Sequence, residues 1–385
     1  MRIGIIGAGH AGVEAARHIS DRGGEVVLYS DEPFLPYVRP RVVLLAFGRV
    51  DIDAITVRPD RWYRDRQIDL RLECPVTHID VHTKTVTAKG QQERFDALIL
   101  ATGAGPLLLP FVQKLPDDVI PIWRARDSLA IQRRLEGAGH LTIVGGGISG
   151  LEAAAYSREA GVEVAVVEKA PHVMALQFGP TAAGVLARRL RDQGVDLRTG
   201  RFVTDVLKND GELSVMLDNG EAIRSDLVLT TVGAVRDTAV FAQAGLRTDK
   251  GVIVDEYQRA SEAGVFACGD IAQRNHIRTA SIVLAAEQGR GAAINAMATL
   301  TGGPLEPVAD RTIPLSFRHD RIEFHSAGVP AGPGLEEKVF SDDGEGVCRS
   351  VVLEGDILRG VQMVGSREDF RRLADSLGRP YRDRS

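Results

Sequence analysis

The sequence predicts an α/β protein in which two related parallel-sheet domains are followed by a small α+β domain. Three observations carry this expectation. A gapless repeat aligns Ile3–Ser30 with Leu141–Glu168 at a constant offset of 138 residues. Each copy places a G-x-G-x-x-G turn between an apolar run and an alanine-rich run, the pattern of strand, turn and helix. Residues 304–385 instead alternate short strands and end in one amphipathic stretch. A chain of 385 residues is long enough for two or three cores. The boundaries we expect are 1–110 with 236–303 for a discontinuous first domain, 111–235 for a second and 304–385 for a third.

The elements follow in order. Ile3–Ile6 and Leu141–Val144 are apolar runs that end at the first glycine of each turn. An alanine-rich helix follows, stopped at Gly23 in one copy and Gly161 in the other. Val26–Tyr29 and Glu163–Val167 then give a second, β-branched strand. Two parallel strands joined through a helix form a right-handed βαβ unit. In the C-terminal part, SFRHDRIEFHSAG and RSVVLEGDILRGVQMVG read as strands and SREDFRRLADSLG as a short helix.

The three glycines of each turn serve different ends. Gly7 and Gly145 make the tight turn, Gly9 and Gly147 let backbone approach a pyrophosphate, and Gly12 and Gly150 let helix and strand pack closely. The helix N-terminus then offers unpaired N–H groups and a positive dipole end to phosphate. Where the second strand ends, Glu168 is placed to accept hydrogen bonds from an adenosine ribose and to repel a 2'-phosphate, which favours NADH over NADPH. Lys169 beside it weakens that preference. The first copy has Ser30 at this position, followed by Asp31 and Glu32. Asp31 is the candidate ribose ligand, with a solvated loop acid before Pro33 as the other reading. His10, inside the first turn, either touches the pyrophosphate or points to solvent, and we favour solvent.

Composition excludes several classes. A net charge of -5 gives no overall pull toward nucleic acid or an anionic membrane. The N-terminus lacks a signal-peptide pattern, and no stretch is apolar for long enough to span a bilayer, so a cytoplasmic location is expected. Cys74, Cys268 and Cys348 lie far apart in sequence, without C-x-x-C or metal-ligand spacing, and no metal site is expected.

Further segments carry a family resemblance. FDALILATGA (95–104) and DLVLTTVGA (226–234) each read as an aspartate, a strand and a glycine turn, and AGVFACGDIA (263–272) reads as a strand plus Gly-Asp. With the two glycine motifs, in this order, they resemble the two-dinucleotide-binding-domain flavoproteins of the pyridine nucleotide-disulfide oxidoreductase superfamily, glutathione reductase-like in fold. The resemblance implies FAD in the first site and NADH or, less favoured, NADPH in the second. It also implies that the flavin is the redox centre, with no catalytic side chain. Asp270 would hold the ribityl chain beside Gly269, and Gly103 and Gly233 would sit where the chain crosses between domains. PFLPYVRP (33–40) is similar to rubredoxin and ferredoxin reductases. In that subgroup's pattern Val76 would meet adenine through its backbone and Arg124 would contact FAD. Glu152 matches the glutamate that positions nicotinamide, although Glu14 at the same place in the first copy keeps a surface role equally open.

Departures narrow the reading. No cysteine occurs between Met1 and Glu73, which disfavours the thiol branches. Arg41 stands where oxygenase reductases carry a nearby lysine and takes its cofactor role or lies on the surface. In TASIVLAAEQG (279–289), Ile282 stands near the place of a family tryptophan. The resulting expectation is an FAD-dependent oxidoreductase passing electrons from NADH to a small iron-containing carrier such as rubredoxin or ferredoxin. The alternatives are an NADH oxidase, diaphorase or nitrite-reductase-type electron-transfer component, and a flavin- and NADH-binding redox sensor resembling apoptosis-inducing factor. The seven arginines from Arg359 to Ser385 would meet an acidic carrier or form a solvated basic tail, the second favoured.

Overall fold

The computed structural model describes residues 1–274, 281–309, 311, 313–319, 322–342 and 346–382. They form two compact units, one of residues 1–39, 51–105 and 234–311, the other of 40–50, 106–233 and 312–385.

In the first unit five parallel strands lie in the order Val265–Ala267, Ala97–Leu100, Arg2–Ile6, Glu25–Tyr29, Ile68–Arg71. Strand side chains alternate between faces, and here both faces are covered, so the strands read as continuous apolar runs. Ile3, Ile5, Val26, Leu28 and Ile99 pack under the helices His10–Ser20 and Ile282–Thr301. Ile6, Val27, Leu98 and Leu100 face the other way, onto Ile79 and Val86 of a three-stranded antiparallel sheet. The Gly-Asp segment thus returns to the sheet that the N-terminus starts.

The two covering helices approach closely because of Gly289. A Cβ there would lie 2.1 Å from the carbonyl oxygen of Ala11. Gly289→Ala is therefore expected to lower stability by about 2–3 kcal/mol, since backbone cannot yield as a side chain can. Gly184, inside the helix Pro180–Asp192, has no atom within 4 Å of where an added methyl would stand. Gly184→Ala should accordingly raise stability by about 0.5–1 kcal/mol. Urea titration of both variants checks the contrast.

The second unit repeats the plan, with parallel strands in the order Val195–Thr199, Glu163–Glu168, His140–Val144, Leu227–Thr230, Val119–Pro121. The 138-residue offset persists in three dimensions: Arg2 pairs with Glu25 as His140 pairs with Glu163. Residues 40–50, which precede this unit in sequence, belong to it, and the Ser128 hydroxyl donates to the Val42 carbonyl at 2.8 Å.

The C-terminal part is a five-stranded antiparallel sheet ordered Leu315–His319, Ile322–Gly328, Ile357–Val364, Cys348–Glu354, Glu336–Asp342. The edge strand Glu336–Asp342 adds to the strands read from sequence. The expected helix is confined to Phe370–Ala374, because Asp369 before it takes a left-handed conformation (φ 62°).

Candidate functional site

Each glycine turn is presented by a strand anchored at its start. The Arg2 N–H donates to Asp96 Oδ2 at 2.7 Å, and the Gly139 and His140 N–H groups donate to Asp226 Oδ2 at 2.8 and 2.9 Å. The aspartates that open the two recurring strand segments are therefore structural clamps.

Within the turns the glycines divide as their chemistry requires. Gly7 and Gly145 have φ of +107° and +113°, and a Cβ would lie 2.3 Å from the Ala101 oxygen and 2.7 Å from the Thr231 oxygen respectively. At Gly12 and Gly150 a Cβ would stand 2.0 Å from the carbonyl oxygens of Gly7 and Gly145. Gly9 and Gly147 differ. Each is the N-cap of its helix in extended backbone open to any residue, and a Cβ would meet no protein atom within 4 Å. Neither strain nor internal packing explains glycine there, whereas backbone contact with an outside group does. His10, which follows, is half-buried rather than turned to solvent. Burial, and then Arg39, lowers its pKa and keeps the ring neutral.

The ends of the second strands differ between copies. Glu168 is tied to its own turn: Oε2 accepts the Gly146 N–H at 2.6 Å and Oε1 the Ala170 N–H at 2.7 Å. Its carboxylate keeps lone pairs for a further donor. Lys169 extends over the Phe202 ring, 5.6 Å from its centroid. In the first copy Asp31 is exposed, while Glu32 is buried and accepts the Tyr37 hydroxyl at 2.8 and 3.0 Å, with Arg39 at 3.9 Å. Glu32 was missed from sequence; its signal was Tyr37, five residues on in the same proline-rich run.

The Gly-Asp segment stands at the helix ends of the first unit. Gly269 has φ +72°, and its N–H donates to Gln288 Oε1 at 2.9 Å. The half-buried Asp270 accepts the Arg236 guanidinium on its backbone oxygen. Gln288 is a second residue missed from sequence, although it belongs to the stretch 279–289 that carries Ile282. Within that stretch Thr279 and Ala280 lie outside the described residues, and Ile282 is exposed.

The other candidates are distributed. Gly103 (φ +70°) follows the strand Ala97–Leu100 in the first unit, and Gly233 (φ +113°) follows Leu227–Thr230 in the second; both conformations favour glycine. Val76 starts the strand Val76–Asp80, half-buried against the first unit's core. Arg41 and Arg124 belong to the second unit, each preceding a helix, Val42–Ala46 and Ala125–Leu135.

Glu152 and Glu14 part company. Glu14 is ion-paired to Arg17 at 2.5 Å, but the residue 138 positions beyond Arg17 is Ala155. The Glu152 carboxyl has no hydrogen bond or ion pair among the described residues, and burial pushes its pKa up to about 7. An acid desolvated without a cation is poorly explained as a surface residue. The three cysteines are all buried, and burial pushes the Cys268 thiol up to about 12, which leaves it inert as a nucleophile. No group of three or more metal-ligating side chains occurs among the described residues. None of the described helices is long and apolar enough to cross a membrane.

Two parallel-sheet units, each offering a glycine turn at a helix N-terminus, define a protein of the two-nucleotide α/β class. The family model of pyridine nucleotide-disulphide oxidoreductases matches residues 1–289, and the chain belongs to that family. It is 31% identical over 318 residues to a rubredoxin-NAD(+) reductase of Pseudomonas putida, covering 80% of this chain and 83% of that one. It is likewise 31% identical to rhodocoxin reductase of Rhodococcus erythropolis, over 96% of this chain and 87% of the relative. Among solved structures, a ferredoxin reductase from Rhodopseudomonas palustris superposes with a TM-score of 0.87 at 28% identity, over 96% of this chain and 92% of that one. The reductase of a covalent putidaredoxin reductase–putidaredoxin complex gives 0.88 at 25%, over 98% and 94%. The chain is an oxidoreductase that uses a flavin and a nicotinamide nucleotide.

Proposed function

We propose that this protein takes hydride from NADH onto FAD and passes the electrons on to a small iron-containing carrier protein of the rubredoxin or ferredoxin type, in the cytoplasm. The observation that carries the reading is the duplicated turn, in which Gly9 and Gly147 leave room that no protein atom uses. In this reading Gly7, Gly9, Gly12, Asp31, Val76, Gly103, Gly269 and Asp270 serve FAD, and Arg41 and Arg124 are retained for it. Gly145, Gly147, Gly150, Glu168 and Gly233 serve NADH, and Glu152 lies toward nicotinamide.

Bound flavin would supply the chemistry, accepting a hydride and releasing electrons singly. The chain's own work is then to hold, orient and shield the cofactors. A carrier as acceptor is supported by relatives whose names state reduction of rubredoxin or rhodocoxin, and by the inert thiol of Cys268.

The test is to identify the bound flavin, follow anaerobic bleaching by NADH and NADPH, and then offer rubredoxin, a [2Fe–2S] ferredoxin, oxygen and a quinone. Fast reoxidation by an iron protein is expected. A chain that cannot be reconstituted with FAD, or one reoxidised only by oxygen, overturns the proposal. Glu168→Ala is expected to lower kcat/KM for NADH by about tenfold to a hundredfold, the worth of charge-assisted hydrogen bonds. It should lower that for NADPH much less, and steady-state kinetics with both nucleotides measure the difference.

A further inference from the structure

One face of the C-terminal sheet bounds a cavity of about 290 Å³. Strand register builds its floor: Ser316 pairs with His325 and Arg318 with Glu323, so all four side chains share a face. His325 is 5% exposed, with Nδ1 2.9 Å from Ser316 Oγ and Nε2 3.1 Å from Glu323 Oε1. Since a carboxylate only accepts, Nε2 carries the ring proton, so Nδ1 accepts the Ser316 hydroxyl and the imidazole is held in one orientation. Phe370 forms a wall, its ring 5.0 Å from that of His325.

The described residues around this cavity carry more positive than negative charge. Arg318, Arg367 and Arg371 line it and make no ion pair among the described residues. Neighbouring arginines are paired, Arg349 and Arg372 with Asp369 and Arg359 with Glu354. Among the described lining residues three guanidiniums stand with one carboxylate, and that carboxylate is engaged by His325. All three arginines are solvent-exposed at the mouth of the cavity, where their guanidinium forks match carboxylate and phosphate oxygens in geometry.

We propose that this cavity binds a small oxyanion carrying two or more negative charges, a phosphate ester or a polycarboxylate. Its volume corresponds to roughly ten water molecules at about 30 Å³ each, which suits a small metabolite. The arginines hold the charge, and Phe370 covers an apolar part. The basic C-terminal stretch is thereby divided: Arg359 and Arg372 are neutralised locally, while Arg367 and Arg371 face the cavity.

The test is calorimetric titration of the full chain in buffer free of phosphate, with NAD+ saturating so that nucleotide sites do not compete. Pyrophosphate and citrate are the probes. One saturable site is expected; stronger binding of pyrophosphate identifies a phosphate ester, and stronger binding of citrate a polycarboxylate. Arg367→Gln and Arg371→Gln should each weaken it by about tenfold, without moving the unfolding midpoint of the ligand-free protein. Arg359→Gln should leave it unchanged. Absence of saturable binding by both probes, or equal losses in all three variants, overturns the proposal.

Discussion

Gly147→Ala is expected to fold as the parent does and to lose NADH affinity by about tenfold to a hundredfold, whereas Gly150→Ala is expected not to accumulate as folded protein. The two glycines are three residues apart in one turn, yet their surroundings are opposite. At Gly147 an added methyl meets no protein atom within 4 Å, and its backbone suits any residue. The methyl instead occupies the place where a pyrophosphate approaches the helix N-terminus, at the cost of one or more charge-assisted hydrogen bonds of about 1.5–3 kcal/mol each. At Gly150 the methyl would stand 2.0 Å from the Gly145 carbonyl oxygen, and strand and helix must part, at a cost of at least about 3 kcal/mol. The first copy should behave alike: Gly9→Ala yields folded protein depleted of flavin, and Gly12→Ala little folded protein. Thermal unfolding and nucleotide titration separate the effects. A Gly147→Ala variant with unaltered NADH affinity would remove the main support for the second nucleotide site.

Between about pH 5 and 8 the protein should lose about 2 kcal/mol of stability through Glu152 alone, a loss that Glu152→Gln abolishes. The direction follows from proton linkage. With the folded pKa raised to about 7 from an ordinary 4.5, the folded state binds the proton more tightly than the unfolded chain does. The contribution is complete below the unfolded value and is lost as pH rises through the folded one. Urea unfolding across that range, on protein and variant, measures it. If Glu152 also lies toward the nicotinamide, the rate of anaerobic reduction by NADH should vary with pH near 7 in the parent and stay flat in Glu152→Gln. A stability change without that kinetic change would assign Glu152 to the fold rather than to the site.

Glu14 and Glu152 illustrate how far the sequence reaches. They are equivalent in the repeat, and the sequence leaves a nicotinamide-side role and a surface role equally open for Glu152. The missing cation can be read from the sequence, where Ala155 stands in place of Arg17, but only the folded chain shows that Glu152 is also desolvated. Gln288 and Glu32 were missed for a similar reason. Gln288 meets Gly269 only through folding, while Tyr37, though five residues from Glu32, meets it outside any helix or strand period.

By itself the sequence determined the duplicated βαβ plan, the two glycine turns and the acid ending the second copy. These depend on contacts between near neighbours along the chain, and each leaves a signature in spacing. Tertiary structure alone decided which glycines answer to the protein and which leave room for something else. It also decided that Glu152 is desolvated and that Arg367 and Arg371 converge with Arg318 on one cavity. Burial, clearance and charge balance are sums over residues distant in sequence, so they come into being only when the chain packs.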